Sequence, residues 1–271
     1  MFVIAYRGNN AIEKTTYEVK LGRLPVSFDG FCVVQISDLH DQRFGPWQPR
    51  LLQYVRESHP DIIVVTGDVT RDGDYRAPDL RNLAGQLVSI APTYFVTGNH
   101  ERHLAKMPGL LSDLETAGVK VLRNETAAVT RGGQQIQVVG IDDPMLFLQE
   151  ALSFRAGFQL WKDELTRLRS AVPADRFTIL LSHRPEFLRL YSRLGFDVVF
   201  TGHAHGGQIR IPGIGALYAP EQGKFPKYTD GVKYMDQTTE VISRGLGGSW
   251  FPVRVFNRPE VVVVKLTRTP Q

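Results

Sequence analysis

Short apolar runs that end in a polar cluster recur five times along the chain. Residues 31–36 lead into Ser37-Asp38-Leu39-His40, 61–65 into Thr66-Gly67-Asp68, and 93–96 into Thr97-Gly98-Asn99-His100. Residues 177–181 precede Ser182-His183, and 197–200 precede Thr201-Gly202-His203-Ala204-His205. Their length, β-branching and flanking turn residues predict strands, and their near-continuous apolarity predicts burial on both faces. The polar clusters therefore fall at strand C-termini.

Helix-period segments lie between the runs. Residues 49–58 place Leu51, Leu52 and Val55 on one stripe before the helix-stopping Pro60, and 78–90 do the same with Leu80, Leu83, Leu87 and Ile90. Further helices are expected over 109–117, 161–170 and 185–194. Alternating strand and helix means crossovers covering an α/β sheet that is at least partly parallel, and such sheets bind ligands beyond the carboxyl ends of their strands. After His205 the texture changes to strand-like pieces separated by Gly and Pro, at 208–211, 216–218, 240–243 and 261–266. No linker, repeat or low-complexity segment separates them, so residues 1–271 read as a single domain, with 1–25 an N-terminal strand or the remnant of a membrane anchor.

Composition narrows the class. Of 271 residues, 42% are hydrophobic and 22% charged, which excludes a disordered, collagenous or disulfide-stapled chain. The net charge of +4 is spread without a basic run, so no dedicated nucleic-acid binding is expected. Cys32 is the only cysteine, so no intrachain disulfide forms and the redox compartment stays open. No stretch reaches the roughly 20 apolar residues needed to span a bilayer, and the opening Met1–Tyr6 run is shorter than a signal-peptide core of about 7–15 residues. The expected location is cytoplasmic or peripheral at the membrane, and extracytoplasmic if an N-terminal anchor has been trimmed away.

The strand ends gather Asp38, His40, Asp68, Asn99, His183, His203 and His205. Mixed imidazole and carboxylate donors suit Mn, Zn, Fe or Ni better than Ca or Mg. Seven ligands exceed one tetrahedral site but suffice for two ions about 3.5–4 Å apart sharing a carboxylate, an arrangement that clamps both oxygens of an in-line displacement. Two dications against two aspartates leave about +2, which favours phosphoryl over peptide or carboxylic ester substrates. Metal coordination lowers the pKa of water from 15.7 to about 7, making a hydroxide nucleophile available at neutral pH.

Asp38-Leu39-His40, Gly67-Asp68, Gly98-Asn99-His100-Glu101, His183 and Gly202-His203-Ala204-His205, in that order, resemble the calcineurin-like metallophosphoesterase superfamily over residues 31–205. A lone Gly-Asp is weak; the ordered five-part set is specific. The resemblance implies a four-layer αββα sandwich of mixed sheets flanked by helices. It places Asp38, His40 and His205 on one metal, Asn99, His183 and His203 on the other, and Asp68 between them. His100 would protonate the leaving oxygen or stabilise the transition state. Gly206-Gly207-Gln208 and Ser243-Arg244-Gly245-Leu246-Gly247 are similar to a bacterial branch with membrane-associated members, some resembling UDP-2,3-diacylglucosamine pyrophosphatases. The expected activity is hydrolysis of a phosphodiester, phosphomonoester or pyrophosphate. The rival readings are a lipid pyrophosphatase and, from another class, a catalytically silent metal-binding scaffold.

Other candidates have plainer readings. His59 and His103 are expected to be structural or superficial, and Asp72 and Asp74 to sit in a solvated turn beside Gly73. Arg43 and Arg102 follow motifs closely enough to hold phosphate bidentately, although exposed surface positions are the simpler expectation. The apolar stretch Met145-Leu146-Phe147-Leu148 with Phe154, Phe158, Leu160 and Trp161 reads mainly as helix-face core. With the loop Trp250-Phe251-Pro252-Val253, it would otherwise admit an acyl chain or touch a membrane. Oligomeric state is not legible.

Overall fold

The computed structural model describes residues 8–71, 75–104, 106–149, 151–248 and 253–269. Met1–Tyr6, the turn expected at Asp72 and Asp74, and Trp250, Phe251 and Pro252 lie outside them. In chain order the elements are β1 (Glu13–Leu21), β2 (Phe31–Ile36), α1 (Pro49–Glu57), β3 (Ile62–Thr66), α2 (Ala77–Ile90), β4 (Thr93–Val96), α3 (Met107–Thr116), β5 (Lys120–Val121), β6 (Glu125–Arg131) and β7 (Gln134–Gly140). There follow α4 (Pro144–Phe147), α5 (Phe154–Ser170), β8 (Thr178–Leu181), α6 (Leu188–Leu194) and β9 (Val198–Thr201). Two short hairpins come next, β10–β11 (Arg210–Ile211, Gly215–Ala216) and β12–β13 (Tyr218–Ala219, Gly223–Lys224), before β14 (Gly231–Met235), β15 (Thr238–Ile242) and β16 (Glu260–Arg268).

Two six-stranded sheets result, ordered β1-β16-β2-β3-β4-β5 and β14-β15-β9-β8-β7-β6. The strands β2 to β5 run parallel, as do β7, β8, β9 and β15; β16 pairs antiparallel with β2, and β6 and β14 close the second sheet as antiparallel edges. Period-two alternation decides the layers. Val33, Ile62, Val64, Ile179, Val198 and Phe200 face a core between the sheets. Val34, Ile63 and Val65 turn the other way, under Leu51, Leu83 and Leu110 of α1, α2 and α3. On the far side Leu180 and Val199 pack against Trp161, Leu165 and Tyr191 from α5 and α6. The layers are helix, sheet, sheet, helix, the mixed α/β sandwich expected.

The differences are local. The helix expected over 161–170 starts at Phe154, because the Ser153 hydroxyl caps it by accepting from the Ala156 N–H at 3.2 Å. The helix expected over 185–194 is a 3₁₀ turn at Pro185–Phe187 followed by α6. Strand β6, with at most half-buried residues, carries too weak an alternation to be seen in sequence. Among the described residues no helix is long and apolar enough to cross a membrane.

Candidate metal centre

The five polar clusters arise from two sheets. Asp38 and His40 follow β2, Asp68 follows β3, and Asn99 and His100 follow β4, while His183 follows β8 and His203 and His205 follow β9. The sandwich sets these carboxyl ends side by side. Gln35 of β2 ties the layers where they meet, its side-chain amide donating to Thr66 Oγ1 at 2.9 Å and to the Thr201 carbonyl at 2.8 Å.

Each chain turns sharply as it leaves its strand. Asp38, His40, Asp68, His203 and His205 have φ of 49°, 47°, 53°, 63° and 49°, a left-handed backbone that L-residues adopt at a cost of order 1–3 kcal/mol each. Main-chain bonds hold these turns: the Asp38 N–H donates to the Gly67 carbonyl at 3.0 Å and the His40 N–H to the Asp68 carbonyl at 3.0 Å. Gly202 lets the β9 loop approach, since a Cβ there would collide with the Ser37 hydroxyl and the Asp38 carboxylate.

Three overlapping groups of donors converge: Asp38, His40 and His205; His40, Asp68 and His100; and Asp68, His183 and His203. Nε2 of His40 lies 3.2 Å from Nε2 of His205, which is 3.3 Å from Asp38 Oδ1. Nε2 of His183 lies 3.2 Å from Nδ1 of His203 and 3.2 Å from Asp68 Oδ2, the same oxygen that stands 3.7 Å from His40 Nε2. His183 is oriented from behind, because its Nδ1 hydrogen is accepted by the Thr66 carbonyl at 2.7 Å, leaving the Nε2 lone pair facing the cluster. Asn99 Oδ1 is buried without a hydrogen-bond partner.

Burial governs the charges. It pushes His40 down to about 3 and His203 to about 4, and His205 well below the usual imidazole range, so these rings are neutral lone-pair donors. Burial also raises Asp38 to about 6. His183 goes the other way: although burial opposes it, the carboxylates of Asp68 and Asp38 lift it to about 10. Asp68, despite its own burial, is held well below the usual carboxylate range by His183 and the neighbouring imidazoles.

These features fit divalent transition-metal ions. Ligand bonds of about 2.0–2.1 Å put neighbouring donor atoms about 3.0–3.4 Å apart, the spacing seen at both histidine pairs. A cation bound here would also offer a partner to the orphaned Asn99 oxygen at the cavity wall. Over the cluster opens a cavity of about 460 Å³ walled by Arg71, Asn99, His100 and Glu221 together with the histidines. His100 stands at its edge, with Nε2 4.0 Å from Asp68 Oδ2 and its ring edge-on to His40 at 4.6 Å.

Several residues here escaped the sequence reading. Glu101 is fully buried and accepts from the N–H groups of Gly98 (2.6 Å), Asp68 (2.9 Å) and Val69 (2.9 Å), pinning the β3 loop to the β4 loop. Its place in Gly98-Asn99-His100-Glu101 was the available signal. Arg184 is buried in a bidentate pair with Asp143 at 2.5 and 3.1 Å. The basic residue at the cavity wall is Arg71, which also donates to the Gly248 carbonyl at 3.0 Å. Arg43, by contrast, pairs with Asp79. His59 and His103 are exposed as expected. Trp161 is core, but Met145, Leu148, Phe154, Phe158 and Phe187 line a second cavity of about 300 Å³ that meets the first at Glu221.

Carboxylates and imidazoles brought together at the adjoining edges of a helix-flanked double sheet form a candidate metal centre, and comparison gives the chain its class and family. Residues 32–207 match the family described as calcineurin-like phosphoesterase, and the chain belongs to that family of phosphoester hydrolases. It is 31% identical to the uncharacterized metallophosphoesterase YkuE of Bacillus subtilis over 97% of this chain and 88% of that one. It is 27% identical to the phosphodiesterase YaeI of Escherichia coli over 87% and 82% respectively. A bovine transmembrane protein with metallophosphoesterase domain is 29% identical over 94% of this chain, but only 57% of its own length is matched. Among solved structures, the Thermus thermophilus sulfate thiohydrolase SoxB superposes with a TM-score of 0.54 at 14% identity, covering 90% of this chain and 57% of that one; the likeness is one of fold.

Proposed function

We propose that this single domain hydrolyses phosphodiesters with two divalent transition-metal ions held between its sheets. Asp38, His40 and His205 hold one, Asn99, His183 and His203 the other, and Asp68 bridges. The observation that carries the reading is the shared oxygen Asp68 Oδ2, with His183 Nε2 at 3.2 Å and His40 Nε2 at 3.7 Å from it, each belonging to a separate donor set. Bound cations supply Lewis-acid activation of water and neutralisation of phosphoryl charge. The chain supplies the rest. Buried neutral imidazoles present lone pairs, Arg71 attracts phosphate oxygens at the cavity mouth, and His100 delivers a proton to the departing oxygen from the open side. Diester preference is supported by the Escherichia coli relative's name.

The apolar cavity meeting the metal cavity at Glu221 favours a finer reading within the same chemistry, a lipid-linked substrate such as an acylated nucleotide pyrophosphate met at a membrane surface. Metal analysis and a phosphoester panel test both readings. Two ions per chain are expected, with faster turnover of a bis-aryl than of a mono-aryl phosphate. UDP-2,3-diacylglucosamine is expected to exceed its deacylated counterpart. Asp68→Asn should lower the bound metal to one ion or none. Two tightly held ions in that variant refute the bridge, and an acyl-independent rate refutes the lipid reading.

A further inference from the structure

The two nitrogens of His203 face different surroundings. Nδ1 points at His183 Nε2, 3.2 Å away, inside the donor set with Asp68. Nε2 points outward to two groups of opposite demand: the Glu221 carboxylate at 2.6 Å and the Arg184 guanidinium at 2.8 Å. A guanidinium has only hydrogens to give. Acting alone, Arg184 donates to Nε2 and drives the ring hydrogen onto Nδ1, which removes the lone pair the donor set needs. A carboxylate has only lone pairs to give. Glu221 therefore stabilises the hydrogen on Nε2 and frees Nδ1.

Arg184 cannot swing away, because Asp143 grips it bidentately in the interior. Glu221 also occupies it, accepting at 3.1 Å, so one carboxylate both receives the imidazole hydrogen and absorbs the competing donor. The position of this carboxylate is set by its backbone. Glu221 sits in the turn between β12 and β13 with a left-handed φ of 54°. The next residue, Gln222, locks that turn by donating to the Tyr228 carbonyl at 2.7 Å and accepting the Tyr228 N–H at 3.0 Å. From this left-handed turn the half-exposed carboxylate reaches both His203 and Arg184.

We propose that Glu221 is a positioning residue that selects the metal-binding tautomer of His203 against Arg184. The inference rests on the reading of His203 as a ligand, and carboxylates behind ligating histidines typically alter metal affinity 10–100-fold. Glu221→Gln keeps the size and can still accept, but no longer carries the charge that holds Arg184. Long-range ¹H–¹⁵N correlation spectra of the chelator-treated protein in mildly alkaline solution should show the hydrogen of His203 on Nε2 in the wild type and a marked shift toward Nδ1 in Glu221→Gln. Titration with Mn²⁺ alone should show one of two sites weakened 10–100-fold and the other unchanged. The same tautomer in both proteins overturns the proposal, as does equal Mn²⁺ affinity. A wild type that binds no metal at all defeats the proposed function instead, while the spectra of the metal-free proteins still decide the role of Glu221. A purely structural role for the turn leaves the tautomer where it is.

Discussion

Removal of the His100 side chain separates proton delivery from metal binding. The bond that ties this loop to Asp68 is made by the His100 main-chain N–H, which donates to Asp68 Oδ1 at 2.8 Å, so His100→Ala leaves it intact. The lost imidazole is 27% exposed at the cavity wall and stands 4.0 Å from the nearest Asp68 oxygen, so its loss opens no internal void. Metal content should be unchanged. A positioned proton donor contributes about 10²–10⁴ in rate, or about 2.7–5.4 kcal/mol of barrier at 1.36 kcal/mol per decade. That full loss is expected for alkyl esters, whose alkoxide must be protonated to leave. It should shrink below about tenfold for p-nitrophenyl esters, whose phenolate departs unaided. Steady-state kinetics on matched alkyl and aryl diesters, with metal analysis of the same preparations, reads both quantities. Equal losses on the two substrates refute proton delivery, and a loss of bound metal refutes the division between ligands and His100.

Two further outcomes follow from buried charge. Asp143→Asn preserves the helix cap that Asp143 gives the Met145 N–H at 2.8 Å but strands Arg184; with Glu186 and Glu221 still nearby, the cost should be about 3 kcal/mol. At about 2–4 °C per kcal/mol for a chain of this size, calorimetry should show melting roughly 6–12 °C lower, and a change within about 2 °C contradicts the burial argument. Glu240 is buried in β15 with only Oε1 partnered, by the Thr201 hydroxyl at 3.1 Å, and burial holds its carboxyl well above the usual range. The folded chain then keeps a proton that the unfolded chain releases above its ordinary value of 4.5, so stability is lost as pH rises through that value toward the folded one. Glu240→Gln should flatten this decline in melting curves taken from pH 5 to 8; an unchanged slope assigns the decline elsewhere.

The strands that position the site were legible because both their faces are buried, which made 62–65 or 198–200 apolar at every position and the polar residues after them conspicuous. The seven candidate ligands stood out for the same reason, whereas the part given to His100 came only through family resemblance. The division of those strands between two sheets came only through family resemblance, since periodicity carries no information about which strands pair. The supports around the site were opaque for a different reason. Glu101 bonds to backbone amides, Arg184 is clamped by Asp143 some forty positions earlier, and Glu221 reaches His203 from a separate hairpin. None of these partnerships leaves a local pattern. The left-handed turns at Asp38, His40, Asp68, His203 and His205 were equally hidden, because none uses the glycine that usually announces such a conformation.

Because Asp38 and Asp68 hang from one sheet and His183, His203 and His205 from the other, any cation between them fastens the two layers like a rivet. Sliding or parting of either layer would tear that fastening, so amide exchange in β3 and β9 should slow together when the rivet is in place. Loss of the ion would loosen the whole seam rather than a single loop.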